Sequence, residues 1–228
     1  MLIVLHIPKT AGTSLRQYIQ RCVPDDDCYI VGDDISGDML RLVTDPATTR
    51  KIEVLFGHIC HGWHRQLQVD AQYTTVLREP LARIASLYDY IRINDTHYLH
   101  RLAKSMSFVE FVVSGATETV DNAMVRQLCG MDTFTKGQAH DMRIPFGEVT
   151  EEHLKAAKET IRSAPVVGVM DRYQQYQDKL ADYMNWPREP MQRANVGYRR
   201  TNPSDWRVVK DYLELDYELY EYARGLAA

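Results

Sequence analysis

The chain has 228 residues, 45% apolar and 25% charged, and 27 Lys plus Arg against 31 Asp plus Glu give a net charge of −4. That length is ample for a buried core, and the apolar share excludes disorder. No run approaches the ~18 apolar residues of a membrane helix, and the mild acidity argues against a nucleic-acid partner. The segment Met1–Leu5 lacks the basic flank and cleavage site of a signal peptide. Cys22, Cys28, Cys60 and Cys129 are too few and too scattered for a disulfide scaffold, so they read as reduced thiols of a cytoplasmic protein. Arg outnumbers Lys 19 to 8, and Arg is the side chain suited to bidentate anion recognition.

Strand and helix signals alternate along the chain. Leu2–His6 predicts a short apolar strand, and Leu15, Tyr18, Ile19 and Cys22 lie on one face of a following helix. Asp25–Asp34 reads as an acidic loop. Ile52–Phe56 and Tyr73–Leu77 predict two further buried strands. Pro80 suits the first turn of a helix whose apolar stripe is Leu81, Ile84, Leu87, Tyr88 and Ile91. Ser107 and Glu110 form a capping box, residues 119–129 predict a helix closed by Gly130, and Thr150 caps a helix carrying Leu154, Ala157 and Ile161. Val166–Met170 predicts a fourth strand, followed by a helix through Tyr173, Tyr176, Leu180 and Met184. The last helix is expected from about Ser204, with Trp206, Val209, Leu213 and Tyr220 inward. Short apolar strands separated by helices make an α/β fold, a central parallel sheet flanked by helices, in one domain over residues 1–228. Ligands of such sheets bind at the carboxyl ends of the strands, so the turns after His6, Phe56 and Leu77 are where chemistry is expected.

The first turn reads His6-Ile7-Pro8-Lys9-Thr10-Ala11-Gly12-Thr13-Ser14. Gly12 lets backbone approach a ligand, the amides of Gly12, Thr13 and Ser14 open a helix toward an anion, and Lys9 adds a compact cation. The triphosphatase loop G-x-x-x-x-G-K-[ST] does not fit, because Lys precedes Gly here. In the third turn Arg78 ends a strand, Pro80 follows, and Ser86 lies about two helical turns on. A fork donor and a hydroxyl suit a second anion, and Arg83, one turn before Ser86, either contributes there or merely solvates the helix. The second turn, Gly57-His58-Ile59-Cys60-His61-Gly62-Trp63-His64, offers three His and one Cys. No distant second pair completes a zinc site, so no metal is expected, and a His general base at the strand end is the chemical reading.

The Pro-Lys-Thr-Ala-Gly-Thr-Ser loop and the Arg78, Pro80, Ser86 spacing resemble the 5′-phosphosulfate and 3′-phosphate motifs of sulfotransferases. Within that superfamily the chain most resembles the carbohydrate group that contains the heparan sulfate 2-O-sulfotransferases, with their small bacterial relatives. Asp121–Gly130, with its Arg126-Gln127-Leu128-Cys129-Gly130, Val167–Tyr173 and Asn195–Arg200 resemble further family segments. The resemblance implies a P-loop-like three-layer fold and 3′-phosphoadenosine 5′-phosphosulfate as donor, with adenosine 3′,5′-bisphosphate as product. Lys9, Thr10, Ala11, Gly12, Thr13 and Ser14 would hold the 5′-phosphosulfate, and Arg78 and Ser86 the 3′-phosphate. Arg199 and Arg200, in a loop where five Arg fall between 188 and 207, would close over the nucleotide. His58 matches the family's Gly-His base, and His61 is the second candidate. The acceptor would bear a hydroxyl, on a saccharide or small molecule. Trp63, Tyr88, Tyr90 and Tyr98 are candidates to stack on it, and Arg92 and Arg126 to hold an acidic one. Two rivals are an ATP-dependent kinase-like phosphotransferase and a non-catalytic nucleotide- or glycan-binding module. The Lys/Gly order argues against the first, and dependence on His58 would separate an enzyme from the second.

Overall fold

Five short strands form one sheet in the order β2-β3-β1-β4-β5, with every neighbouring pair parallel. The computed structural model describes residues 1–130, 144–191 and 206–227. The chain begins β1 (Leu2–Leu5), α1 (Gly12–Cys22), β2 (Cys28–Ile30), α2 (Ile35–Thr44), α3 (Pro46–Thr49), β3 (Val54–Gly57), α4 (Trp63–Leu67) and β4 (Gln72–Leu77). It continues through α5 (Pro80–Ile93), α6 (His100–Ser105), α7 (Phe108–Val113), α8 (Ala123–Leu128) and α9 (Glu151–Ser163). It then runs through β5 (Val166–Val169), α10 (Tyr173–Met184), α11 (Trp206–Val209) and α12 (Glu214–Leu226).

Both sheet faces are covered, which is why the strands read as unbroken apolar runs. Ile3, Leu5, Leu55, Tyr73 and Leu77 face a layer built from α2, α4, α8, α9 and α12. Leu2, Val4, Val54, Phe56 and Val76 face α1 and α10. Each such aliphatic side chain contributes about 1.5–3 kcal/mol on burial. A third apolar cluster joins α5, α6 and α7 to Val209 and Leu213. The chain leaves β1 toward β2 on one side and leaves β4 toward β5 on the other. The direction of winding therefore turns about between β1 and β4, the place where open α/β sheets bind ligands. Leu5 pairs with both Gly57 and Thr75, so the segments after β1, β3 and β4 all emerge at one edge.

Several local expectations are corrected. The acidic stretch 25–34 contains strand β2, whose three residues are too few to stand out between aspartates. Helix α2 was not expected; Asp34 caps it by accepting from the Gly37 amide at 3.0 Å. The helix expected over 119–129 is broken: a 3₁₀ turn covers Glu118–Val120, and α8 starts only after Asn122, which has φ 45°. The last helix is broken as well, and Ser204 lies outside the described residues. Asn122 explains both breaks. Its amide donates to the Tyr212 carbonyl at 2.8 Å, and its Oδ1 accepts from the Asp216 amide at 2.9 Å. It thus stands between the two groups that an unbroken helix would pair with each other. Gly130, with φ 101°, occupies the left-handed position after α8 that the sequence predicts.

Candidate active site

The loop from β1 to α1 is held open by its backbone. Lys9 (φ 73°) and Ala11 (φ 62°) are both left-handed without being glycine, a conformation that costs ~1–2 kcal/mol per residue. Strain of this kind persists only where the surroundings fix it, and it collects at ligand-binding segments. The Thr10 hydroxyl ties the loop by donating to the Ile7 carbonyl at 2.8 Å. Ala11 is the N-cap of α1 and brings no side-chain cap, and the first turn of the helix has no acid. An 11-residue helix that starts in this way presents its positive end to the sheet edge.

Gly12 serves a purpose other than the close approach of a ligand. A Cβ at Gly12 would lie 1.8 Å from His6 Nε2. The glycine is required because the His6 ring fills the space under the loop. That ring stacks on Phe56 at 5.3 Å and lies 4.5 Å from the His58 ring. Burial lowers the His6 pKa to about 3, assisted by His58 and Lys9, so the ring packs there uncharged.

Arg78 leaves the end of β4 and its Nη1 donates to the Lys9 carbonyl at 3.0 Å. The expected partner of one phosphate thus also props the loop expected to hold the other. The Lys9 pKa is lowered by burial and by the neighbouring Arg78, with Asp89 opposing. Two cations brought together at a positive helix end fit an anionic ligand. The Lys9 ammonium lies 4.2 Å from the Tyr90 ring centroid, a contact of the cation–π class. Ser86 is half-buried on α5. Arg83 is a correction: its side chain is fully buried, faces the Asp216 carboxylate at 3.9 Å and donates from Nη2 to the Thr119 carbonyl at 2.8 Å, so its partners lie in the core.

The three histidines after β3 part company. His58 reaches solvent, and its Nδ1 lies 2.9 Å from the His6 carbonyl oxygen. A carbonyl has no proton to give, so Nδ1–H donates and neutral His58 carries its lone pair on Nε2. Although one edge of the ring is open, the protein crowded around it withholds water and lowers its pKa; the His6 carbonyl and Asp33 oppose this. His61 turns elsewhere. Its ring lies 4.6 Å from Tyr73 and 5.8 Å from His64, and its Nδ1 is 3.3 Å from where a Cβ on Gly130 would stand. The Tyr73 hydroxyl accepts from the amides of Gly62 (3.1 Å) and His64 (3.2 Å) and lies 2.7 Å from His64 Nδ1. His64 therefore closes the turn into α4. Among the described residues no group of three or more His, Cys, Asp and Glu side chains is placed to hold a metal.

Of the expected aromatic contacts, Trp63 (2% exposed) and Tyr88 (3%) are core, whereas Tyr90 (44%) and Tyr98 (80%) are exposed. Arg126 donates to the carbonyl of Asp121 at 2.6 Å and that of Pro145 at 3.0 Å, and also bonds the Asp121 carboxylate and the Ile144 carbonyl. Its work is to pin the chain around 144–145. Arg92 lies against Tyr88, donating to its hydroxyl at 2.7 Å. Arg199 and Arg200 lie outside the described residues. His6 and Gln127 are the residues that the motifs did not single out. His6 was visible as the last residue before the loop, and Gln127 sits inside the Arg-Gln-Leu-x-Gly segment.

The sequence model of the Sulfotransferase family matches residues 1–223. No curated protein matches the chain in sequence. Among solved structures, mouse sulfotransferase SULT7A1 complexed with PAP is similar, at 12% identity and a TM-score of 0.45. The similarity covers 92% of this chain and 64% of the mouse protein. At that score the likeness supplies no residue assignment.

Proposed function

The chain belongs to the sulfotransferase family, and on that premise we propose that it moves a sulfonate group from 3′-phosphoadenosine 5′-phosphosulfate to a hydroxyl acceptor by in-line displacement. The donor supplies the sulfonate and leaves as adenosine 3′,5′-bisphosphate. The observation that carries this reading is the meeting, at one sheet edge, of the Lys9 loop, His58 and Arg78. Lys9 and the amides opening α1 balance the charge that grows on the 5′-phosphate oxygen as the sulfur departs. Arg78 and Ser86 hold the 3′-phosphate, a charge-assisted contact of the fork type.

His58 accepts the proton of the acceptor hydroxyl on Nε2. The bond from its Nδ1 to the His6 carbonyl supports this role because it leaves Nε2 with the lone pair. His61 packs against Tyr73 on another side of the loop, which favours His58 of the two. The acceptor is proposed to be a saccharide or small-molecule alcohol, which approaches from the solvent side of His58. The test is transfer of labelled sulfonate to a panel of saccharides and alcohols, with calorimetry of adenosine 3′,5′-bisphosphate alongside. Transfer with bisphosphate binding is expected. Binding of ATP with magnesium in preference to the bisphosphate would overturn the donor assignment.

A further inference from the structure

We infer that Gln127 is a positioning residue for His58: one buried amide holds both the carbonyl that orients the imidazole and the backbone that carries it. This inference rests on the reading of His58 as the base. The Gln127 Nε2 donates to the His6 carbonyl at 3.0 Å and to the Ile59 carbonyl at 2.7 Å. An amide nitrogen has two hydrogens, and both are used. The first of these oxygens also accepts from His58 Nδ1 at 2.9 Å. The second belongs to the residue after His58. The main chain of Gln127 completes the grip, since its carbonyl accepts from the His61 amide at 3.0 Å. Segment 59–61, which follows His58 directly, is therefore fastened to α8 at both ends, and the His6 carbonyl is fastened to the same amide.

The clamp is itself anchored. Asp216, fully buried, accepts from the amides of Met124 (3.2 Å) and Val125 (2.9 Å) at the start of α8, with Arg83 3.9 Å from its carboxylate. A carboxylate at a helix N-terminus complements the dipole and fixes where the helix begins. The neighbouring Arg126 faces the other way and holds the chain at 144–145. Adjacent residues of one short helix thus serve separate tasks, and Gln127 is the one turned toward the site.

The clamp has a titration signature. The titratable groups near His58 are His6, whose ring is 4.5 Å away, Asp33 from the segment after β2, and Lys9, which acts on His6. Gln127 adds no charge. It occupies part of the acceptor capacity of the His6 carbonyl, so its removal leaves that oxygen to His58 Nδ1–H alone. A stronger bond to Nδ1–H favours the imidazolium and raises its pKa.

The test compares Gln127→Met, Gln127→Asn and His58→Ala, singly and with Gln127→Met combined with His58→Ala. With the whole chain, Gln127→Met is expected to lower kcat about ten- to a hundredfold, the scale of loss when a reacting group is misplaced by about 1 Å. The acid limb of its rate profile should move up in pH while bisphosphate affinity stays at the wild-type value. Gln127→Asn, one methylene shorter and still polar, should move both readings in the same direction and decides the matter if Gln127→Met does not fold. In the His58→Ala background, Gln127→Met should cost nothing more. A wild-type rate and limb in both Gln127 variants, with His58→Ala impaired, would overturn this inference alone. So would a loss that adds fully to that of His58→Ala and is matched by weaker bisphosphate binding, since that is a structural role. A wild-type rate in His58→Ala would remove the base reading and the inference with it.

Discussion

His58 and His61 sit in one loop, are the same residue type, and stand at the end of the same strand, yet the fold treats them differently. His58 leans on a main-chain oxygen of the neighbouring β1 segment, next to the Lys9 loop. His61 leans on the ring of Tyr73, which rises from β4 on the face covered by α4 and α8. The parallel register places His6 and His58 side by side, because Leu5 pairs with Gly57 and the His6 amide donates to the Gly57 carbonyl at 2.9 Å. His61 packs on the Tyr73 ring just before the chain turns through Gly62, with φ 108°, and His64, just after the turn, lies 2.7 Å from the Tyr73 hydroxyl. What sets His58 apart from His61 is its neighbour across the sheet, which the spacing along the chain does not show.

The comparison can be broken by mutation. His58→Ala is expected to cut kcat by ~10²–10⁴ while the bisphosphate still binds; steady-state rates and calorimetry on the same preparation check both halves. Lys9→Ala comes next, with kcat lower by roughly a hundredfold, the scale of losing one preorganised donor to a developing charge. Lys9→Arg should rescue it poorly, since a planar fork does not replace a point charge beside the Tyr90 ring. Near-normal turnover in Lys9→Ala would contradict the mechanism. Arg78→Ala should weaken bisphosphate binding by at least about tenfold, the equivalent of ~1.4 kcal/mol. It removes the proposed phosphate contact and also the prop on the Lys9 carbonyl. His61→Ala is expected to be the mildest: turnover within about tenfold of wild type and a stability loss of about 1 kcal/mol, as for an ordinary packing residue. A urea titration beside the rate assay would show whether stability, and not turnover, takes the loss.

Much of this frame was legible in the sequence. Four of the five strands, the strand–loop–helix at Lys9–Ser14 and the Arg78 turn follow from apolar runs and from residue types at their ends. Strand β2 was hidden because three residues carry too little periodicity between acidic neighbours. Arg83 was misjudged because one helical turn before Ser86 suggests a shared face, whereas its guanidinium turns inward to Asp216, a residue 133 positions later. Asn122 and Gln127 illustrate the general difficulty. Each works through bonds to main-chain atoms distant in sequence, Tyr212 and Asp216 for one, His6 and Ile59 for the other. Nothing in a local pattern marks a side chain whose partners are carbonyls and amides of another element.

Whether His58, and not His61, takes the proton is tested most directly by the pH dependence of kcat/KM, which reports the groups of the free enzyme. Burial lowers the His58 pKa below the ordinary imidazole value of ~6.5. A base must be neutral to act, so the rate should fall on the acid side, with that limb displaced below the ordinary imidazole range. This acid limb is expected to persist in His61→Ala and to vanish from the residual activity of His58→Ala. An acid limb that disappears in His61→Ala and survives in His58→Ala would contradict it.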